Sequence, residues 1–232
     1  MNLSPVVESQ FRGKTTWTVF PPTDKERALS HTYKYARPAL TVDVAVFAPI
    51  DGELQVLLIR RASEPFRDRW ALPGGFVEPE EPISLAALRE LQEETGLRPR
   101  KFYPVGAYGD PGRDPRGWTV SALFYTIVDA AGHVPDAQSD AKEAGWKSTR
   151  LPPPLAFDHR VLVSDALARM RDDLYTQPVA TDLFPARFEE ELLVKRFAEL
   201  GAGEDDPCRL VRRLTDAGLL TTEEHGLFCW VT

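Results

Sequence analysis

Cysteine is scarce in this chain, which has Cys208 and Cys229 as its two examples among 232 residues. Two cysteines do not make the disulfide framework of a small secreted domain, and their separation does not match the paired spacing of a zinc knuckle. The sequence therefore predicts two buried, unpaired thiols in a reducing compartment.

The sequence also lacks long apolar runs and an excess of positive charge. No apolar stretch approaches the roughly 20 residues that a membrane-spanning helix requires, and residues 1–14 lack the basic flank and apolar run of a signal peptide. The formal net charge of −7 works against broad attraction to nucleic acid or to anionic membranes. Since neither a signal peptide nor a membrane span is visible, we expect a soluble, cytoplasmic protein, and the 43% of hydrophobic residues is enough for a sizeable core.

The pattern of the chain changes near residue 38. Residues 1–37 mix polar residues with prolines and predict an N-terminal arm, whereas residues 38–156 predict the main domain. Alternating and β-branched positions indicate strands in that domain, at residues 40–48, 54–60, 101–106 and 119–128.

Residues 157–232 predict a connecting helix and a small C-terminal unit. The connecting helix covers residues 157–174. The unit is expected to contain two helices and a β-hairpin, at residues 187–200, 207–217, 219–222 and 227–231. Helix, helix and hairpin in this order are the outline of a winged helix.

The most informative segment is a glutamate-rich helix predicted at residues 82–95. Pro82 suits its first position and Gly96 suits its C-terminal stop. Glu90, Glu93 and Glu94 stand at positions i, i+3 and i+4, so their carboxylates share one face. Three carboxylates so close repel one another, and a hard divalent cation such as Mg²⁺ or Mn²⁺ among them offsets that cost. The spacing therefore predicts a metal site.

The residues around these glutamates support the same interpretation. Arg89 can pair with Glu93 one helical turn away, and Glu81 on the preceding loop can reach Arg89. Gly74 and Gly75 allow a tight turn beside the site, where a backbone carbonyl can serve as a further ligand. The opposite side of the helix is apolar and is expected to pack on the sheet through Leu85, Leu88 and Leu91.

Residues 75–97 resemble the Nudix box at each of its signature positions. These are Gly75, five residues, Glu81, seven residues, Arg89-Glu90, an aliphatic residue, one residue, Glu93-Glu94, one residue, Gly96 and an aliphatic residue. A solvated, charged helix face is the ordinary role of glutamate-rich stretches, but so many residue types at fixed spacing favour the box.

This resemblance implies an α+β fold with a mixed β-sheet between helices. It implies that Glu90 and Glu94 are the main metal ligands and catalytic residues, assisted by Glu93 and the carbonyl of Gly74. The box itself would be built by Gly75, Glu81, Arg89 and Gly96. The implied activity is Mg²⁺-dependent hydrolysis of a nucleoside diphosphate derivative by an activated water.

Several shorter stretches resemble the ADP-ribose pyrophosphatases and the related Nudix transcriptional regulators of NAD metabolism. They lie at residues 60–61, 70–75, 110–117 and 154–159. This second resemblance implies ADP-ribose as the substrate, cleaved to AMP and ribose 5-phosphate.

Candidate substrate-binding residues are Arg61, Phe76, Arg113 and Arg116. The two loop arginines, Arg113 and Arg116, can hold phosphate or ribose oxygens, or they can lie in a solvated turn. Arg60 and Arg61 follow one another on a strand, so at most one of them faces the site. Phe76 can stack on a base or pack beside the box.

The base that activates water is expected outside the box. Asp140 and Glu143 are the candidates, and Glu143 is preferred because it resembles a glutamate found shortly before a tryptophan in this family. A solvated loop carboxylate is the alternative for both. For His159, a satisfied structural histidine capping the next helix is preferred over a substrate contact.

The C-terminal unit introduces a second class of function, a regulator that senses ADP-ribose and binds DNA through a winged helix. Residues 157–232 contain nine Lys or Arg and fifteen Asp or Glu, an excess of six negative charges. The predicted recognition helix keeps Arg209, Arg212 and Arg213, and the hairpin turn is acidic. Because phosphate neutralisation supplies most nonspecific affinity, we favour a hydrolase whose tail packs on its own domain or forms a homodimer.

Overall fold

A computed structural model describes residues 9–11, 14–16, 34–130, 141–202, 206–223 and 226–231. The chain divides into two compact units, Met1–Ala39 and Leu40–Thr232. In the first unit, strands β1 (Ser9–Phe11) and β2 (Lys14–Thr16) form an antiparallel hairpin. In the described part of the chain, none of the helices combines the length and the apolar character that spanning a bilayer would require.

A seven-stranded sheet forms the framework of the molecule. Its strands are β3 (Ala39–Ile50), β4 (Glu53–Arg61), β5 (Trp70–Ala71), β6 (Gly74–Phe76), β7 (Tyr103–Tyr108), β8 (Thr119–Ile127) and β9 (Ala141–Ser148). The main order is β5-β4-β3-β8-β7, with β6 paired to β3 and β9 paired to β4. The four predicted strands are present, and β9 lies where the sequence predicted no strand. The short strands β5 and β6 lie in the segment that was expected to form a turn, so Gly74 and Gly75 belong to a strand.

Strand β3 lies at the middle of the sheet because its residues can be buried on both faces. Val42, Val44 and Val46 pack on the face covered by helix α1 (Ile83–Thr95), while Ala45 and Phe47 pack on the face covered by helix α2 (His159–Asp173). The expected α+β class, with the sheet between helices, is confirmed.

Helix α1 ends where the sequence predicted but presents a different side to the sheet. Gly96 adopts a left-handed conformation (φ 75°), and its N–H donates to the carbonyl of Gln92, which closes the helix. The expected packing through Leu85 and Leu88 is wrong, since Leu85 is 54% exposed and Leu88 is half-buried. The buried positions are Ala86, Ala87, Leu91, Glu94 and Thr95. The two small alanines let the helix lie close to the strands, and this orientation turns Glu94 inward.

The C-terminal segment has the predicted order of helix, helix and hairpin. Helices α3 (Glu190–Glu199) and α4 (Pro207–Asp216) precede the antiparallel strands β10 (Leu220–Thr222) and β11 (Phe228–Trp230). The leucines at 210, 214 and 219 are buried, as expected. Classification as a winged helix stays a prediction.

One hydrophobic cluster extends from the sheet through α2 into this C-terminal segment. Phe47 of β3, Met170 of α2 and Phe197 of α3 belong to the same buried cluster. The boundary between residues 156 and 157 remains a prediction of the sequence. Both cysteines are free, as expected, but Cys208 is exposed at the start of α4, so the expectation of two buried thiols is wrong.

Candidate active site

Two glycines bring strand β6 against the rest of the site. Gly74 pairs with Asp43 of β3, and a Cβ at residue 74 would lie 2.1 Å from the carbonyl oxygen of Val42. A Cβ at Gly75 would lie 2.5 Å from the carboxylate atoms of Glu90. The glycines are therefore required by close packing of backbone on backbone and of a carboxylate on backbone.

Arg89 fastens the helix to the loop that precedes it. Its Nε and Nη2 donate to the two oxygens of Glu81 at 2.8 and 2.9 Å, and Nη1 donates to Glu90 Oε1 at 2.8 Å. Nη2 also donates to the carbonyl of Phe76 at 3.1 Å. The hydrogen bonds from Arg89 lower the pKa of Glu81 to about 2, so this pair stays ionised across the physiological range.

Glu90 and Glu94 face Gly74 and Gly75 of strand β6, whereas Glu93 faces solvent. Glu94 is 8% exposed and accepts a hydrogen bond from the Gly74 amide at 2.9 Å. Burial raises the pKa of Glu94 to about 8, and the nearby charges of Glu90 and Asp43 act in the same direction. Burial also raises the pKa of Glu90. The side chain of Glu93 is 51% exposed and lies 3.4 Å from Arg89.

The residues present fit a hard divalent cation. The donors are carboxylate oxygens, which Mg²⁺ and Mn²⁺ prefer, and the absence of a side chain at Gly75 leaves the room that the Glu90 carboxylate takes. Within the described ranges, no group of three or more acidic, histidine or cysteine side chains is arranged to hold a metal ion by itself. Mg²⁺ is commonly held by one or two carboxylates, with waters and substrate phosphates completing its coordination.

A pocket opens beside Gly74 and Gly75 and is lined by charged and aromatic side chains. Its lining includes Asp43, Arg61, Phe76, Arg116 and Phe157. The guanidinium carbons of Arg61 and Arg116 lie 4.9 and 5.4 Å from the centre of the Phe157 ring, and Arg116 lies 5.3 Å from that of Phe76. Burial and the charge of Arg116 lower the pKa of Arg61. Two cations thus converge on an aromatic surface.

The alternation expected at residues 60 and 61 is present. Arg61 lines the pocket, while Arg60 lies 3.9 Å from Asp68 and 3.8 Å from Glu143, away from it. The pairing of β4 with β9 shifts register between the two arginines. Arg61 was the candidate of the two, and its part in substrate binding stays a prediction.

The two loop arginines are already engaged in ion pairs. Arg113 donates to both oxygens of Asp158 at 2.8 Å, and its side chain is 7% exposed. Arg116 donates to the carboxylate of Asp114, with the closest contact at 2.7 Å. Although burial alone would raise the pKa of Asp114, the hydrogen bonds from Arg116 lower it. The loop is therefore an ordered wall of the pocket rather than a solvated turn.

Glu143, the preferred base, lies on β9 and not on a loop. Its side chain is 51% exposed and lies 3.8 Å from Arg60 Nη1, and it does not belong to the described lining of the pocket. Asp140, the other candidate, lies outside the described residues.

Three residues of the site were not singled out from the sequence for the parts they have here. Asp43 is a buried acid and the one charged residue of strand β3, and that interruption was its signal. Phe157 holds a positive φ of 50°, an uncommon conformation for a bulky residue, and the sequence marked it only as part of the stretch 154–159. His159 is buried and accepts a hydrogen bond from the Leu72 amide, so the structural interpretation is confirmed, although Leu72 and not the helix end is its partner.

The NUDIX domain family matches residues 39–165, more than half of the 232 residues. The chain belongs to this family. It is 42% identical over 141 residues to the ADP-ribose pyrophosphatase of Methanocaldococcus jannaschii, a match that covers 61% of this chain and 80% of that protein. It is 36% identical over 157 residues to the ADPR responsive transcriptional repressor NtrR of Acinetobacter baylyi, covering 66% of this chain and 63% of the repressor.

Solved structures extend the likeness beyond residues 39–165. A MutT/nudix family protein from Enterococcus faecalis superposes with a TM-score of 0.74 at 26% identity, over 87% of this chain and 90% of that one. NrtR of Shewanella oneidensis, complexed with a 27mer DNA, gives a TM-score of 0.65 at 29% identity, over 83% of this chain and 93% of that one. The C-terminal segment thus has counterparts in proteins of the same family.

Proposed function

We propose that this protein hydrolyses the diphosphate linkage of ADP-ribose, with Mg²⁺ or Mn²⁺, to AMP and ribose 5-phosphate. The observation that carries the proposal is the pair Glu90, half-buried, and Glu94, buried, which lie against Gly74 and Gly75 at the edge of a pocket that holds Arg61 and Arg116. The similarity to an ADP-ribose pyrophosphatase supports the choice of substrate.

Glu90 and Glu94 are the proposed metal ligands, and the carbonyl of Gly74 and the carboxylate of Glu93 are further oxygen donors. When bound there, a divalent cation supplies positive charge to the diphosphate and lowers the pKa of a coordinated water. The protein's own contribution is to keep the carboxylates in place: Arg89 holds Glu90 at 2.8 Å, and the Gly74 amide holds one oxygen of Glu94 at 2.9 Å.

Arg61 and Arg116 are proposed to bind the phosphate or ribose oxygens of the substrate. Two guanidinium groups that share the Phe157 ring repel each other, and an anionic ligand between them removes that repulsion. Phe76 and Phe157 offer flat apolar surfaces beside these charges. Arg113 also lines the pocket, but its Nε and Nη2 are held by Asp158, so a phosphate would have to bind its other N–H groups or replace Asp158.

Glu143 is the proposed base. In this role its carboxylate has to lie within hydrogen-bond reach of the attacking water, and its 3.8 Å contact with Arg60 competes with that position. If Arg60 instead keeps this pair closed during turnover, Glu143→Gln will leave kcat near that of the wild type.

A substrate panel tests the proposal. The full chain with Mg²⁺ is offered ADP-ribose, a nucleotide sugar, NADH and a dinucleoside polyphosphate, and products are separated by ion-exchange chromatography. We expect the highest kcat/KM for ADP-ribose. Faster cleavage of another compound, with no AMP from ADP-ribose, would remove ADP-ribose as substrate and leave the hydrolase class standing.

A second candidate function is regulation of transcription in response to ADP-ribose. It is favoured by the repressor relative and by the likeness of 83% of the chain to a protein solved with DNA. Arg209 and Arg212 are exposed on α4, the helix that would enter the groove. The six excess negative charges of residues 157–232 oppose it.

Binding of the protein to its own upstream DNA decides between these functions. We expect no specific complex at physiological salt. Sub-micromolar specific binding that ADP-ribose weakens would make the regulator the primary function, because such coupling is reciprocal between the two ligands. The predicted homodimer is checked in the same samples by light scattering.

A further inference from the structure

His159 joins the start of α2 to the segment that leads into Gly74 and Gly75 of strand β6. The ring is 6% exposed, and its Nδ1 accepts a hydrogen bond from the Leu72 amide at 2.9 Å. Because Nδ1 is an acceptor, the proton of the neutral ring is on Nε2, which lies 3.5 Å from Asp43 Oδ1. Burial lowers the pKa of His159, which keeps the ring neutral.

Both partners of His159 lie next to Gly74, one along the chain and one across the sheet. Leu72 stands two residues before Gly74, and the Pro73 carbonyl between them accepts a hydrogen bond from the Val44 amide at 2.9 Å. Asp43 faces Gly74 across the pairing of β3 with β6 and also accepts a hydrogen bond from Ser121. His159 therefore contacts the segment that leads into β6, through Leu72, and the strand on which β6 lies, through Asp43 of β3.

Gly74 is the residue through which this support reaches the acidic side chains. Its amide donates to Glu94 Oε2 at 2.9 Å, and a Cβ at Gly74 would meet the Val42 carbonyl at 2.1 Å, so this residue lies tightly on β3. One residue, Pro73, separates Leu72 from Gly74, and its ring fixes the backbone angle φ, so we expect a displacement of Leu72 to be passed to Gly74. The Gly74 carbonyl would move with it.

We propose that His159 is a positioning residue for the metal site. Its hydrogen bond from the Leu72 amide fixes the distance between the Leu72–Gly75 segment and β3, and thereby the position of Gly74 relative to Glu94. The inference rests on the proposed metal-dependent function. In this role His159 contacts neither substrate nor metal. Its substitution should nevertheless change metal affinity, whereas substitution of a histidine that only fills the core should not.

Three substitutions separate the two ring nitrogens. His159→Asn keeps an acceptor near the position of Nδ1 and loses the approach to Asp43. His159→Gln places its polar end near the position of Nε2 and loses the acceptor for Leu72. His159→Phe removes both. Tyr125→Phe is the control, because it removes a buried hydrogen bond to Asp173 at 2.8 Å on the face of the sheet opposite α1.

The readout is Mn²⁺ binding to the full-length protein, followed by the electron paramagnetic resonance of free Mn²⁺ without substrate. Support residues around metal ligands typically change metal affinity about 10-fold to 100-fold. We expect His159→Phe and His159→Gln to weaken Mn²⁺ binding about tenfold, and His159→Asn to stay within about threefold of the wild type. With ADP-ribose, His159→Phe and His159→Gln should lower kcat more than they raise KM. Tyr125→Phe should lower the unfolding temperature and leave Mn²⁺ binding unchanged.

The inference is overturned if His159→Gln and His159→Phe bind Mn²⁺ as the wild type does, or if His159→Asn loses as much affinity as His159→Phe. Should His159→Phe fail to fold, the Asn and Gln variants alone decide, because each places its amide near the position of a different ring nitrogen. A wild-type protein that binds no Mn²⁺ would instead contradict the proposed metal site, and this inference with it.

Discussion

The carboxylate of Glu90 occupies the space that a side chain at Gly75 would need. A Cβ there would lie 2.5 Å from both carboxylate oxygens and from Cδ, closer than real side chains approach. The missing side chain of Gly75 therefore provides the space in which the carboxylate of Glu90 packs. The spacing between them in the sequence reflects a contact in the folded protein.

Gly75→Ala should displace Glu90 and lower kcat about 100-fold, a loss of the size seen when catalytic geometry is disturbed by about 1 Å. The unfolding temperature should change little, because the clash is with the end of a side chain. The matched control is Gly106→Ala, whose Cβ would meet only Tyr108 at 3.7 Å. Near-native kcat in Gly75→Ala would show that Glu90 is not needed where the structure places it.

Glu94→Gln should abolish turnover and stabilise the metal-free protein at alkaline pH. Burial raises the pKa of Glu94 from 4.5 to about 8, so the folded state binds a proton there that the unfolded chain releases. Stability of the metal-free protein therefore falls as pH rises through this window, and the amide removes that loss.

Thermal unfolding in EDTA at pH 5 and pH 8 measures this effect. The gain in unfolding temperature for Glu94→Gln should be larger at pH 8 than at pH 5. Glu93→Gln, at a side chain that is 51% exposed, should show no such gain. An equal shift at both pH values would mean that the charge of Glu94 is not the cause.

Arg89→Lys should lower kcat by about 10-fold to 100-fold, because lysine cannot replace the fork that reaches Glu81, Glu90 and the Phe76 carbonyl together. Steady-state kinetics at saturating Mg²⁺ measure the loss. Arg169→Lys is the comparison, since Arg169 pairs with Asp173 through its Nε at 2.8 Å, outside the pocket. Equal effects of the two substitutions would assign Arg89 to general stability alone.

Arg61→Gln and Arg116→Gln should each raise KM for ADP-ribose about tenfold and leave kcat within a few-fold, since each removes a charge from substrate binding. Arg67→Gln removes an exposed charge that pairs with Glu64 at 3.8 Å and should change neither constant. If KM stays at the wild-type value in both pocket variants, the substrate lies elsewhere.

Local signals were enough to predict the acidic helix and its ends. Pro82 and Gly96 act on the backbone next to them, and the spacing of Glu90 and Glu94 needs only helical geometry. The side of the helix that packs was not predictable in this way. Its leucines suggested one face, but contact with the sheet requires the small residues Ala86 and Ala87.

Features that depend on distant partners were missed. Strand β9 begins Ala-Lys-Glu-Ala-Gly, without β-branched residues, and it is a strand because β4 offers it hydrogen-bond partners. The engagement of Arg113 by Asp158 and the support of the Leu72 amide by His159 join residues 45 and 87 positions apart. Contacts between residues so far apart in the chain cannot be predicted from local sequence patterns.

The most direct test of the account is a single reaction: the wild-type protein and Glu94→Gln are each incubated with ADP-ribose and Mg²⁺, and the products are followed by ³¹P nuclear magnetic resonance. The account predicts AMP and ribose 5-phosphate in equal amounts from the wild type, and neither from the variant. Unchanged ADP-ribose in the wild-type reaction, or equal product from both proteins, would contradict it.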